Sequence, residues 1–277
     1  MNTYKFNRRT RRVRRNLALK IVLEKEFTPS LQRYFDDVRR AAIRNFRDNA
    51  GPPNLTILGD KTEKLLKRHY RRVVKTFRNE MRLYISDGNF NSDDLSEKEE
   101  AAINQIMAIF IANQSQVRAG QINRTNIKDI NDSFAEAQEE LIRDERSVTP
   151  AAVLIIANRK MKDKFKGREG TIALTETQYV AEKTKRVESA VVSRDGDIDV
   201  ISIVGGTIQS SPKSKKEWAS RLDERTRDAH AQAEGQTVPA NDPFIVNGER
   251  LMEPGDTSLG ASPSNIINCH CSALYYV

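Results

Sequence analysis

KGREG, residues 166–170, divides this chain into two kinds of sequence. Two glycines within four residues interrupt any helix that reaches them. Upstream, apolar residues recur at helical steps. Thr149-Pro150 opens one helix, with Val153, Leu154, Ile156, Met161 and Phe165 on its apolar face. Before it, Ile127, Ile130, Phe134, Ala137 and Leu141 alternate three- and four-residue steps, the spacing of close packing in a bundle or against another subunit. Ser96 and Glu99 form a capping box ahead of Ile103, Ile106, Met107, Phe110 and Val117. From about Asp60 a further stripe runs Leu66, Tyr70, Val73, Val74, Phe77, Met81, Tyr84, and the other face carries Lys64, Lys67, Arg68, Arg71, Arg72, Lys75 and Arg78. Thr28, Pro29 and Ser30 supply a cap and a first-turn proline for a helix striped by Leu31, Tyr34, Phe35, Val38, Ala42 and Phe46. NAGPPN, 49–54, ends it.

Downstream of KGREG the elements shorten. TIALTETQYVAEKTKR reads as a short helix, and VESAVVSRDGDIDVISIVGG as two β-rich runs around Asp195-Gly196, a hairpin signal. EWASRL reads as a strand and DERTRDAHAQAEG as a short polar helix ended by Gly235. The last 40 residues are loop-rich, with Pro239, Pro243, Pro254 and Pro263. The expected fold class is α+β, a mainly helical N-terminal region followed by a small loop-rich α+β module. The expected division is a basic arm, 1–27, a helical region, 28–168, and the C-terminal module, 169–277.

Charge follows a different division. Residues 1–86 hold 23 Lys/Arg against 8 Asp/Glu, a surplus of 15, whereas the other 191 residues carry a deficit of 7. The extreme is Arg8, Arg9, Arg11, Arg12, Arg14 and Arg15, with no acid before Glu24. Such a concentration fits non-specific contact with nucleic acid or an acidic surface. No helix-turn-helix, zinc-finger or RNP-type signature accompanies it. No apolar run approaches the ~20 residues of a membrane helix, so no membrane partner is expected. No apolar stretch of a secretory signal follows the basic N-terminus. Two cysteines are too few for a disulfide scaffold, which points to a reducing compartment.

TIALTET, EWASRLDERTRDAH, GQTVPANDPF, GERLMEPGD and INCHC occur in that order. Through Thr175-Glu176, Trp218, Asp223, Arg225, Arg227, His230, Gly235-Gln236, Pro243-Phe244, Pro254-Gly255-Asp256 and Asn268-Cys269-x-Cys271, the segment 170–271 resembles the phage Mu F-like family of minor head proteins, also called head morphogenesis proteins. His270 stands where that family usually has Arg. The resemblance implies a structural minor head (minor capsid) protein of a tailed phage. It would associate with the portal protein and with the major capsid or scaffolding protein during phage assembly, in multiple copies per head. It would lie in the virion head interior, and in the host cytoplasm during assembly. The basic region would then face packaged genomic DNA without sequence specificity.

Two other functions fit some residues: a nucleic-acid-binding structural protein outside phage heads, and a transferase or nuclease built on Asp223, Arg225 and His230. The enzyme reading lacks a nucleophile elbow, P-loop or HExxH motif, and no enzyme is expected.

Cys269 and Cys271 are the only cysteines. A disulfide between them would close a very small, strained ring. Two thiolates on one loop can instead bind Zn²⁺, with His230 as third ligand and Asp223, seven residues earlier on the expected helix, or His270 as fourth. Such a structural zinc would hold the proline-rich tail. The competing reading has the cysteines as buried small hydrophobes and His230 as a hydrogen-bonded core residue. Trp218 reads as a core anchor, and His69, among basic residues, as a surface residue.

Overall fold

The computed structural model describes residues 3–49, 59–86, 95–193 and 210–276. Five helices come first: α1 (Thr3–Asn49), α2 (Gly59–Ser86), α3 (Glu97–Arg143), α4 (Pro150–Phe165) and α5 (Arg168–Val192). Short elements follow: β1 (Lys215–Ala219), α6 (Asp228–Gln232), β2 (Thr237–Pro239), β3 (Phe244–Val246), β4 (Glu249–Leu251), α7 (Pro263–Ile266) and β5 (Ser272–Tyr276). The fold is α+β, helical first and then a small module with antiparallel strands. Among the described residues, no helix is long and apolar enough to cross a membrane.

The chain folds into two compact units, and the division differs from the one expected. Residues 25–69 and 112–173 form one; residues 1–24, 70–111 and 174–277 form the other. We call them the helical unit and the mixed unit.

The helical unit is built from the expected stripes. Leu31, Tyr34, Phe35, Val38, Ala42 and Phe46 of α1 are buried, as are Ile130, Phe134, Ala137 and Leu141 of α3 and Val153, Ile156, Met161 and Phe165 of α4. The α3 seam is therefore intramolecular packing, with Ile127 left exposed at its end. Ring pairs tie it together: Phe46 stacks on Phe134 at 4.5 Å, and Phe35 meets Phe165 at 5.1 Å. The Thr149 hydroxyl caps α4 by accepting from Ala152 N at 3.2 Å. KGREG is only a tight corner, in which Gly167 takes φ +81° and Arg168 already begins α5. His69 is buried, stacked on Phe27 at 3.8 Å, and not on the surface.

Two expected boundaries fail. Pro29 does not start a helix; α1 runs through it from Thr3. A proline inside a helix costs ~3 kcal/mol or more. Leu23 and Phe27 lie in phase with Leu31 and Tyr34 and are buried, so the stripe is continuous, while Pro29 sits on the exposed side. The expected arm is thus a packed helix, with Asn16 and Lys20 buried in the mixed unit. The first expected strand also fails, because VESAVV is the end of α5. Nearly every residue from Thr175 to Val192 is buried, apolar and polar alike, so no one-sided apolar stripe marks this stretch as helix. The rest of the expected hairpin lies outside the described residues.

In the mixed unit α5 carries charged groups into the interior, and several meet partners from other elements. Tyr70 donates to Glu176, Arg78 pairs with Glu188, and Arg186 pairs with Glu253 at 3.2 Å. Glu182 sits between Lys20 at 2.6 Å and Lys185 at 2.7 Å. The capping box of α3 forms as expected, with Glu99 N donating to Ser96 Oγ at 3.3 Å and Ser96 N donating to Glu99 at 2.7 Å. The sheet has β1 between β2 and β5, all antiparallel, with Trp218 opposite Ala273 and Lys216 opposite Val238 and Tyr275. A separate two-stranded hairpin pairs β3 with β4 through Asn247-Gly248, both at positive φ, the type I′ geometry that Asn-Gly favours.

Candidate metal centre

Trp218 organises the C-terminal module. It is fully buried on β1, in a core with Phe244, Val246, Leu251, Cys269, Cys271 and Ala273. Its indole N–H donates to Ser220 Oγ at 3.1 Å, and that hydroxyl donates to the His230 carbonyl at 2.5 Å. Ser220 thereby fixes α6 against the end of β1. The His230 ring meets the Trp218 ring edge-on at 5.6 Å and is 2% exposed. A five-residue helix has little stability of its own, so these contacts hold it in place.

The cysteine loop is held from the other side. Asn268, at φ +57°, turns the chain after α7, and its N–H reaches Thr175 Oγ1 on α5 at 3.5 Å. Arg227 donates to the Ile267 carbonyl. The Cys271 carbonyl accepts from Gln178 at 2.8 Å and from Lys20 at 3.1 Å, just before β5 begins. Both thiols are free and buried.

Both face His230. Its Nδ1 lies 3.6 Å from Cys269 Sγ and 3.4 Å from Cys271 Sγ, and all three atoms lie within 4.8 Å of one another. With Zn–S about 2.3 Å and Zn–N about 2.0 Å, a tetrahedral site places S and N about 3.5 Å apart. The buried His230, Cys269 and Cys271 cluster could therefore hold a metal ion. Beside it is a cavity of about 10 Å³, room for one water-sized body. His230 Nε2 is buried with no hydrogen-bond partner.

The thiols are electrostatically unequal. A hydrogen bond from Cys271, and the His230 ring, hold the Cys269 thiol well below its ordinary range in spite of burial. Giving that bond, together with burial and the charge on Cys269, pushes the Cys271 thiol up. Of the two, Cys269 is the one whose environment favours the thiolate, the form that binds a metal.

Asp223 is not on the helix of His230; α6 starts at Asp228, and Leu222 at φ +54° turns the chain just before Asp223. Its carboxylate accepts from Arg225 N and Thr226 Oγ1, each at 3.1 Å, and pairs with Arg221 at 2.6 Å. Burial opposes ionisation, but these partners hold the carboxyl below its usual range. Asp223 and His270 line the cavity without joining the three-atom group. Burial, with the charges of Lys20 and Arg221, lowers His270 to about 4, so its ring is neutral at pH 7. Asp256, buried, holds Met252 N at 2.9 Å and Ser258 N at 2.8 Å, which closes the loop after β4.

The six N-terminal arginines do not act as one group. Arg9 pairs with Glu217 at 2.5 Å and also with Glu234, while Arg15 pairs with Glu80 at 2.7 Å. Arg12 is half-buried, and Arg11 and Arg14 are exposed. The side chain of Arg8 lies outside the described residues. On α2, Lys64, Arg68, Arg71 and Lys75 are exposed, whereas Lys67 pairs with Glu63 and Arg78 with Glu188 and Glu100.

Sequence reasoning missed Lys20, Gln178 and Ser220, which fix the backbone of the two thiols and the histidine. Their roles depend on partners up to 251 residues away, and no local pattern marks them. Compared with known proteins, the chain matches no family model, and neither the curated proteins nor the solved structures give a significant match.

Proposed function

We propose that this chain is a structural minor head protein of the Mu F-like kind, with its C-terminal module closed by a structural Zn²⁺ on His230, Cys269 and Cys271. The observation that carries the proposal is convergence. The positions of the resemblance are scattered over a hundred residues, yet Trp218, Phe244, Cys269 and Cys271 share one core. His230 faces both thiols, and Thr175 holds the loop that bears them. Zinc fits the donor set because it takes thiolates and imidazole in tetrahedral geometry.

In this reading the protein docks on the portal and on the capsid or scaffolding lattice, and meets packaged DNA through cations that remain exposed, Arg11 and Arg14 among them. The enzyme alternative finds less support, since His230 is turned to the thiols and Asp223 to the Arg221 guanidinium and its own turn. Mass spectrometry of purified procapsids and mature heads tests the proposal. The expected result is several copies per head that disappear when the portal is deleted. Heads of normal composition that never contain the protein would overturn it.

A further inference from the structure

Three protein donors occupy three corners of a tetrahedron, so a bound metal has a fourth corner to fill. Two side chains with donor atoms line the same cavity, Asp223 and His270. Asp223 is committed. One oxygen takes the Arg225 N–H and the Thr226 hydroxyl, and the other takes Arg221. Drawing it to the metal would strip a guanidinium and a backbone donor of their acceptor. His270 lies between the two cysteines. Its ring lines the cavity wall but adds no atom to the cluster of three donors. Neither group belongs to the set of donors within 4.8 Å of one another.

The rest of the cavity wall has the wrong chemistry for a cation and the right one for an anion. It includes the guanidinium-bearing Arg221, Arg225 and Arg227, of which one is balanced by Asp223. Two thiolates neutralise a divalent ion, which leaves the wall with a surplus of positive charge next to the fourth corner. His270 Nδ1 is buried with no hydrogen-bond partner, and in the tautomer that carries its proton on Nε2 it accepts an O–H.

We infer that the fourth ligand is a solvent oxygen or a small anion and not a side chain, so that the centre is an anion-accepting metal site with the donor set His230 Nδ1, Cys269 Sγ, Cys271 Sγ and one exchangeable ligand. Three protein ligands and an exchangeable fourth are a known zinc arrangement. A cavity of about 10 Å³ admits a water, hydroxide or similarly small ligand, and a phosphate only if the arginine rim moves. The inference rests on the metal reading above and extends it.

The test uses the full chain with its metal replaced by Co²⁺ and azide as the probe anion. The thiolate-to-cobalt charge-transfer band should appear and persist, while the visible d–d bands shift saturably as azide is added. Asp223→Asn and His270→Ala should keep the cobalt bands and the azide response. A cobalt spectrum indifferent to azide overturns the inference and leaves the metal in place; whichever variant then alters the bands without any anion identifies the residue that closes the corner. A protein that binds no cobalt removes the metal itself, and this inference with it.

Discussion

The two units bury different things. In the helical unit the interior is mostly apolar, with Phe46 on Phe134 and Phe35 against Phe165, and buried polar groups such as Thr62 and Asn126, on the Tyr34 hydroxyl, are uncharged. In the mixed unit fully buried positions include Lys20, Glu182, Lys185 and Lys216, alongside two thiols and an imidazole. Lys216 is 5.0 Å over the Phe244 ring and donates to the Met252 carbonyl at 2.6 Å. An apolar core gains from non-directional burial and tolerates small shifts of its parts. A core of charges is stable only when each member meets its partner, and it therefore specifies which chain segments come together. Here those segments are α1, α5 and β5, remote in sequence and joined at Glu182, which also accepts Ala273 N at 2.9 Å.

Glu182→Gln tests this contrast with the largest effect. It leaves Lys20 and Lys185 buried without their counter-ion and should cost ~3–5 kcal/mol in urea unfolding. Replacing all three residues together by apolar ones of similar volume should recover most of that loss; failure to recover would mean that the ions do more than neutralise one another. Phe134→Ala is the matching experiment in the helical unit. A cavity there should cost ~3–4 kcal/mol, and hydrogen exchange should show loosening in α4 while β5 keeps its protection.

A third test uses pH. Burial, only partly offset by Glu182, lowers Lys185 from 10.5 to about 8. A base whose pKa falls on folding opposes the fold while it is protonated in both states. The folded state releases this proton first, so its unfavourable contribution fades as pH rises from about 8 towards 10.5. Wild type should therefore gain stability relative to Lys185→Met over that interval, and a difference independent of pH would show that Lys185 is not held as described. The smallest stability effects belong to exposed arginines. Arg11→Ser with Arg14→Ser should leave the melting temperature unchanged, reduce non-specific DNA affinity and lower the salt slope by about 2. Arg9→Ser, which breaks pairs to Glu217 and Glu234, should do the reverse and affect stability more than affinity.

The helical unit was legible in the sequence because its information is local. Apolar residues three and four apart, the Ser96–Glu99 box and the Thr149 cap each need only neighbouring residues. The same rule misplaced the start of α1, since Pro29 is a strong local signal and the packing of Leu23 and Phe27 that overrides it is not local. In the mixed unit β1, Trp218 as an anchor, and the meeting of His230 with the two cysteines were legible. The Asn247-Gly248 hairpin carried its signal in the sequence and was passed over as loop. What lay beyond reach was the burial of charge along α5. Glu182 and Lys185 look like a solvated i,i+3 pair until Lys20 and β5 close over them.

The proposed reading has a metal ion close the mixed unit at the buried His230, Cys269 and Cys271 cluster. Elemental analysis of the full chain purified without chelators, followed by hydrogen exchange before and after 1,10-phenanthroline, tests it most directly. The expected result is about one Zn²⁺ per chain, with protection lost in β5 and the 261–271 segment after chelation and retained in α4. Protein free of metal whose exchange pattern ignores the chelator, and which keeps its stability in Cys271→Ala, would contradict the account and leave the two thiols as buried apolar groups.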